Sequence, residues 1–495
     1  MHNLRSFLWS RTVFLYLLPV FFVLHGYRQN FDFVSINDAL LLTGIYLLAS
    51  LVLFSLSWPL YRNFYKASLL AFCIMAFHFF FGALHDLGKK IFDNSFLIKY
   101  SFILPFSFIL FIILVIYLKK TKRNFLKLTK YLNWVLLLLI LTEGGSLVYK
   151  ISAKRKNDTV QVPNGFSPCD SCFKPDIYLV VADEYAGDRE LKDIFHFDNA
   201  EFENELRKRG FHIIQNSKSN YNSTVFSIAS LLNMDFIPGI KENKFSDDNL
   251  NAAYRQINQN SLTAVLHRLN YDIKNYSVFH FDNKANLASS QFSISGIDLV
   301  KAQTFLGRMD RDIRFNLITR LKMKSEMKRF AKYEVNSNLF LVKKTMHESS
   351  SNSTRPRFVY LHVMMPHFPY YLDKQGNYNE PEILFNTNRF KQKEYIGYLE
   401  YTNTVFLPLI DQLLAQPKKP IILLMGDHGF RHFTSLPDSS YHFMNFNSVY
   451  LPDGNYTEFY EGLSMVNEFR ILMNQNFKQH FPILKDSTVF LYNWW

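Results

Sequence analysis

The sequence predicts an α-helical membrane domain of five transmembrane helices followed by an α/β domain with a mostly parallel central sheet. Three observations predict it. Apolar segments of about bilayer length crowd the first part of the chain. Beyond them, short apolar runs bounded by Pro or Gly alternate with stretches of helical period. Two of these runs, Asp176–Val181 and Ile421–Met425, stop at acids or at an acid–histidine pair. In open α/β sheets, chemistry sits beyond the carboxyl ends of strands.

At 495 residues the chain exceeds one ordinary domain. Its net charge of +13 is uneven, with a basic excess in the loops of the apolar part, which points to membrane topology. A zinc finger, a basic recognition helix and an aromatic nucleic-acid signature are all missing from the sequence, so nucleic acid is not expected as a partner. There are three cysteines. Cys73 lies in an apolar segment. Cys169 and Cys172 form PCDSCF, a spacing compatible with a redox motif, half a zinc site or a local disulfide. A four-cysteine zinc site is excluded within one chain, and in an oxidising compartment the disulfide is expected.

The five apolar segments are roughly Thr12–Tyr27, Ala39–Trp58, Ser68–Leu87, Tyr100–Leu118 and Tyr131–Tyr149. The first resembles a signal peptide, but it lacks a small-residue cleavage site and further spans follow, so it reads as an uncleaved span. The fourth connection, LKKTKRNFLKLTK, is the most basic and is expected in the cytoplasm, as are Arg5, Arg11, Arg62 and Lys66. Lys89, Lys90, Lys99 and the run Lys154 to Lys156 oppose this with fewer charges per loop. Five spans then place the rest of the chain outside. The expected division is 1–150 membrane domain, 151–173 linker, 174–495 extracytoplasmic domain. Glu143, deep in the last segment, is a candidate for binding substrate, since intramembrane charge is costly.

In the second half, Asp176–Val181 reads as a strand ending in Asp183-Glu184. Paired acids there are not a packing requirement, and burying them unpaired is expensive. Phe202–Arg209 reads as a helix and FHIIQ as a strand. In SNYNSTVFSIASLLNM a helix opens at Thr224, a hydroxyl at a helix N-terminus where an anion is favoured; Ser223 or Thr224 equally reads as an N-cap. Asn251–Asn270 reads as one helix, Tyr271–Phe279 as a strand and Leu306–Met346 as a basic helical insertion. RFVYLHVMMPHFPYY reads as a strand with His362 in the core and His367 held at its exit by two prolines. Glu394–Gln416 reads as a helix. Ile421–Met425 is a strand followed by Gly426-Asp427-His428-Gly429, where Asp plus His suits zinc or manganese. Strands at Asn445–Pro452 and Thr488–Leu491 and a helix at Met465–Phe477 complete the chain.

The ordered motifs ADEYAG, STVFSIASLLN, PHFPYY and GDHGF behind five spans resemble the alkaline phosphatase superfamily, in its sulfatase-like branch. The whole chain is similar to the membrane-bound phosphoethanolamine and phosphoglycerol transferases, including lipoteichoic acid synthase. The resemblance implies an alkaline-phosphatase/sulfatase-like domain with a divalent metal held by Glu184, with Asp183 beside it, and by Asp427, His428 and Thr224. It implies Thr224 as nucleophile, His367 against the phosphoryl group, and Arg431 and His432 as substrate contacts. The sulfatase C-x-P-S-R motif, whose Cys becomes formylglycine, is replaced here by TVFSI, which points to phosphoryl transfer. The expected partners are a membrane phospholipid donor and an envelope glycan or lipid acceptor, and the expected location is the bacterial cytoplasmic (inner) membrane. The alternatives are a phosphodiester or sulfate-ester hydrolase, and a non-catalytic lipid-binding regulator of the same fold.

Overall fold

A computed structural model describes residues 11–31, 33–92, 95–157, 162–169, 171–240, 247–287, 296–386, 388–433 and 438–492. The chain divides into two compact units. The first is Met1–Asp158 together with Ile294–Asn316, a stretch that the sequence assigns to the second domain. The second is Thr159–Ser293 with Leu317–Trp495.

The first unit holds α1 (Phe14–Gln29), α2 (Ile36–Tyr61), α3 (Phe64–Ile91), α4 (Tyr100–Lys120) and α5 (Leu126–Asn157). Side-chain caps start two of them: Ser35 accepts from the Asp38 amide and Asn63 from the Lys66 amide. Helices α2 to α5 are long and apolar enough to cross a membrane. The sequence expects five such spans; α1 is apolar but only 16 residues long, with Pro19 inside it. Its Phe14, Leu18 and Phe22 are buried against residues of α2 and α3 such as Leu42, Met75 and Phe79. Helix α5 continues past residue 150, where the linker was expected to begin.

The basic helical insertion expected over Leu306–Met346 begins inside the stretch 294–316 that groups with the first unit. The described part of 294–316 is helical but broken, with short α-helices at Asp298–Lys301 and Phe305–Arg308 running into a π-helix at Met309–Arg314. It is seated on two glycines. The Gly82 amide donates to the Gln303 carbonyl at 2.9 Å, and a Cβ at Gly82 would lie 2.5 Å from that oxygen. A Cβ at Gly26 would lie 2.7 Å from Val300. The Arg308 guanidinium is buried and paired with Asp86.

The second unit is built on a six-stranded sheet of order β2-β6-β5-β1-β4-β3. Its strands are β1 (Ile177–Ala182), β2 (His212–Ile213), β3 (Asp272–Tyr276), β4 (Arg357–Val363), β5 (Ile421–Gly426) and β6 (Asn447–Tyr450). Strands β3, β4, β1 and β5 are parallel; on one edge β6 runs antiparallel to β5, and β2 antiparallel to β6. Every residue of β1, β4 and β5 is buried, as the unbroken apolar runs require of strands covered on both faces. The covering helices include α6 (Asp188–Phe195), α7 (Ala200–Lys208), α8 (Thr224–Asn233), α9 (Asp247–Asn258), α10 (Ser261–Arg268), α11 (Lys324–Ser349), α12 (Gln392–Leu414) and α13 (Met465–Phe477).

Three expectations change in detail. The helix expected over Asn251–Asn270 is two helices, because Asn260 caps α10 by accepting from the Thr263 amide at 2.8 Å. FHIIQ contributes only two residues to the sheet edge. Thr488–Leu491 is not a strand; a single bridge joins Val489 to Tyr221. The Cys169 and Cys172 sulfurs are bonded.

Candidate active site

The register of the sheet makes the site. Strands β1 and β5 pair from Ile177 opposite Ile421 to Ala182 opposite Gly426. The next residues, Asp183 and Asp427, therefore leave the sheet side by side. On the other flank Val363 of β4 lies opposite Ala182, and His362 opposite Val181. The fourth contributor is α8, whose first residue is Thr224. The cap position falls on Ser223, so the Thr224 side chain is not spent on capping.

Two close approaches explain the glycines around Asp427-His428. A Cβ at Gly426 would meet the Tyr185 carbonyl oxygen at 2.3 Å. A Cβ at Gly429 would meet the Tyr441 carbonyl oxygen at 2.2 Å and the Glu190 carboxylate at 2.7 Å. Glu184 has φ 61, in the left-handed region that residues with a Cβ seldom adopt.

The buried donors form two clusters, each with ligand atoms within 4.8 Å of one another. Asp183, His362 and Asp427 form the first; Glu184, His367 and His432 form the second. The two consecutive acids are thus divided, where the sequence reading grouped them at one metal. Thr224 belongs beside the first cluster: its Oγ1 lies 3.4 Å from Asp183 Oδ2 and 3.2 Å from His428 Nε2.

Backbone contacts set the imidazole tautomers. His428 Nδ1–H donates to the Gly429 carbonyl at 2.6 Å, which leaves the Nε2 lone pair facing Thr224. His367 Nδ1–H donates to the Phe368 carbonyl at 2.5 Å, and its Nε2 accepts from Arg431 Nη2 at 3.3 Å. Burial, then the charge of Arg431, holds His428 well below the usual imidazole range. Burial pushes His367 down to about 4 despite the nearby Asp183 charge. Both rings are therefore neutral at neutral pH, the form that binds metals.

The carboxylates respond oppositely. Burial and the charge of Asp183 push Asp427 up to about 7. Burial pushes Glu184 up to about 8 against the opposing charge of Arg431. At Asp183 burial acts in the same direction but is outweighed by His367, His362 and His428, so its carboxyl is held well below its ordinary value.

This donor set fits a divalent cation. Asp427 Oδ1 already accepts from the Glu184 and His428 amides, at 2.8 and 3.0 Å. Asp427 Oδ2, Asp183 Oδ1 and Glu184 Oε2 are buried without a hydrogen-bond partner among the described residues. Three such carboxylates at 0% exposure demand positive charge nearby. Carboxylate oxygens with neutral imidazoles are ligands for zinc or manganese.

Arg431 and His432 both reach the second cluster. The Arg431 amide donates to Glu184 Oε1 at 3.1 Å, and His432 Nε2 lies 3.6 Å from the same oxygen. Glu143 lies in the first unit, where Arg28 donates to it and His25 Nδ1 lies 2.9 Å from its Oε1.

Sequence reasoning missed three residues. His362, read as a core histidine, sits with its Nε2 3.4 Å from Asp183 Oδ2 and its Nδ1 2.9 Å from the Tyr360 hydroxyl. The signal was present: it is the one histidine inside the run FVYLHV. Glu190, fully buried, accepts from the Phe430 amide at 3.1 Å. Arg389 is close enough to Glu184 and Arg431 for their charges to act on it, and it stacks over Phe368 at 5.8 Å; nothing in its loop marked it.

The family model described as Sulfatase matches residues 204–480 of this chain. No curated protein matches it. Among solved structures, the integral membrane lipooligosaccharide phosphoethanolamine transferase A of Neisseria meningitidis is similar at 12% identity and TM-score 0.38, covering 93% of this chain and 94% of that one. The C-terminal periplasmic domain of EcEptC from Escherichia coli in complex with Zn gives 10% identity and TM-score 0.38, covering 62% and 84%. Phosphonate monoester hydrolase SpPMH of Silicibacter pomeroyi gives 12% identity and TM-score 0.39, covering 64% and 76%.

Proposed function

Because the chain belongs to the sulfatase family, we propose that it is a membrane-anchored, metal-dependent transferase of a phospholipid headgroup. The group is phosphoethanolamine or phosphoglycerol, and the acceptor an envelope glycan or lipid. The observation that carries this reading is the Thr224 hydroxyl, 3.2 Å from the unprotonated nitrogen of His428 and 3.4 Å from Asp183, at the start of a helix. The hydroxyl, the Nε2 lone pair and the carboxylate converge as a ligand set for one cation, which would activate the hydroxyl as a nucleophile rather than leave it a cap.

Asp183, Asp427, His428 and Thr224 would hold one divalent cation, with His362 beside them; Glu184, His367 and His432 are a second candidate group. When bound, such a cation lowers the pKa of a hydroxyl and neutralises phosphoryl oxygens. The chain's own residues do the rest. Thr224 Oγ forms a bond to phosphorus while the bond from phosphorus to the diacylglycerol oxygen breaks. The threonine proton ends on that oxygen, and diacylglycerol leaves as the alcohol. The N-terminus of α8 favours the anion, and Arg431, held against His367, faces it with a fixed positive charge. An acceptor hydroxyl then displaces Thr224 and regenerates it.

The absence of cysteine near Thr224 supports phosphoryl over sulfuryl chemistry, since TVFSI cannot form formylglycine. We place the second unit on the extracytoplasmic side of the bacterial inner membrane, with the basic loop around Lys119–Lys130 in the cytoplasm. Mass spectrometry of the Thr224 peptide from protein purified out of its own membranes tests the reading. A phosphoethanolamine or phosphoglycerol adduct is expected. Turnover of phospholipid at the wild-type rate by Thr224→Ala would refute it.

A further inference from the structure

Helix α4 is the most apolar of the four helices long enough to span, and only its Leu118 is buried in the first unit. It is held at its two ends. At one end the Tyr61 hydroxyl donates to the Val115 carbonyl at 3.4 Å and Lys66 Nζ to the Thr121 carbonyl at 2.7 Å. At the other, Tyr100 meets the rings of Phe81 and His85 and donates to Asp312 at 2.5 Å.

Between these ends α3 and α4 leave an apolar groove of about 760 Å³, lined by Cys73, Phe77, Leu104, Phe108, Phe111 and Phe305. That volume is within the range of small-molecule sites. Phe305 stands toward the Tyr100 end, its ring 5.2 Å from Phe77 and 5.1 Å from Phe81. The short turn that carries it is fixed by the Gly82–Gln303 backbone bond and by Arg308 on Asp86. The groove thus has a built wall.

The same end is basic. Lys89 and Lys90 close the last turn of α3, and Lys99 is the N-cap of α4; all three are exposed. These lysines run against the charge asymmetry of the other loops, so orientation alone does not explain them. An apolar slot open to its side, with exposed lysines at the helix ends beyond its Tyr100 end, matches an acyl chain continuing toward a phosphate headgroup.

We propose that this groove seats one acyl chain of a phospholipid whose phosphate rests against Lys89, Lys90 and Lys99. This deepens the transferase reading and rests on it for the identity of the lipid as donor. It names where the first unit holds that lipid.

The test uses the full chain in nanodiscs with a trace of phosphatidylethanolamine carrying a diazirine in one acyl chain. After irradiation, adducts are mapped by peptide mass spectrometry. They are expected to concentrate on Cys73, Phe77 and residues 104–111, not on exposed faces of α2 such as Leu41 and Leu48. Ser107→Trp, which fills the groove, should remove that concentration. Replacing Lys89, Lys90 and Lys99 by Glu should cut labelling by the phospholipid probe several-fold and leave a diazirine diacylglycerol unaffected. Labelling spread evenly over all lipid-facing helices overturns the proposal, as does phospholipid labelling indifferent to the three lysines. A bifunctional thiol cross-linker that joins two copies through Cys73 overturns it in favour of a self-interface. The measurement is repeated in Thr224→Ala. Groove labelling there without turnover in wild type would count against the transferase reading alone, whereas a fully active enzyme without groove labelling would count against the groove alone.

Discussion

His428 presents Nε2 to Thr224 Oγ1 at 3.2 Å because its other nitrogen is tied to the Gly429 carbonyl at 2.6 Å. The backbone thus selects the tautomer, and the tautomer decides whether the threonine meets a donor or a lone pair. Thr224→Ala should lower turnover by about a thousandfold or more, with the fold intact. Thr224→Ser should keep measurable activity because the hydroxyl survives. Steady-state rates with circular dichroism as a fold control would check both.

The Asp183–His362 pair gives a second expectation. Burial keeps the Tyr360 hydroxyl protonated, so it donates to His362 Nδ1 at 2.9 Å, and His362 Nε2 lies 3.4 Å from Asp183 Oδ2. A group that orients a metal ligand is worth about 10- to 100-fold in metal affinity or activity, and Asp183 is a candidate ligand. His362→Ala should lose metal and rate by that factor, and His362→Gln, which keeps an N–H, should recover part of it. Metal content by mass spectrometry separates this from a packing defect. Unchanged metal content in the Ala variant would refute the orienting role.

Metal removal is the third. With buried carboxylates in both clusters, a chelated protein should lose activity and recover it with zinc or manganese. Asp427→Ala should lower metal content in folded protein. Full turnover in a metal-free preparation contradicts the site.

A fourth prediction lies away from the site. Glu468 is fully buried, accepts from the Asn447 side-chain Nδ2 at 2.9 Å, and burial pushes it up to about 7 from 4.5. The folded state holds this proton more tightly than the unfolded chain, so stability falls as pH rises from about 4.5 to about 7. Glu468→Gln should leave the melting temperature nearly unchanged at about pH 4 and raise it at about pH 8, by up to about 3 kcal/mol of stability. Thermal melts at the two pH values decide it, and a lower melting temperature at the higher pH would be the contrary result.

Topology is the fifth. Reporter fusions after Lys130 and after Lys150 should report opposite compartments, and Cys169 and Cys172 should resist alkylation until reduced. Equal reporter signals would overturn the orientation.

The sequence by itself determined the two-part plan, the buried parallel strands and the residues at their ends. Apolar runs of bilayer length and of strand length are local properties, and a run that stops at Asp183-Glu184 or Asp427-His428 marks a strand exit without any knowledge of its neighbours. Tertiary structure decided how those exits combine. Only the register of β1 between β4 and β5 shows that Asp183 stands beside Asp427, and that His362, opposite Val181, belongs with them. Only the left-handed turn at Glu184 goes with a division of adjacent acids between two clusters. Likewise 294–316 carries no apolar span and reads as part of the second domain. Its place with the first unit depends on Gly26 and Gly82, far away in sequence, having no side chain to keep it out. Pairing and close approach are relations between distant segments, so a single sequence names the parts and leaves their partners to the fold.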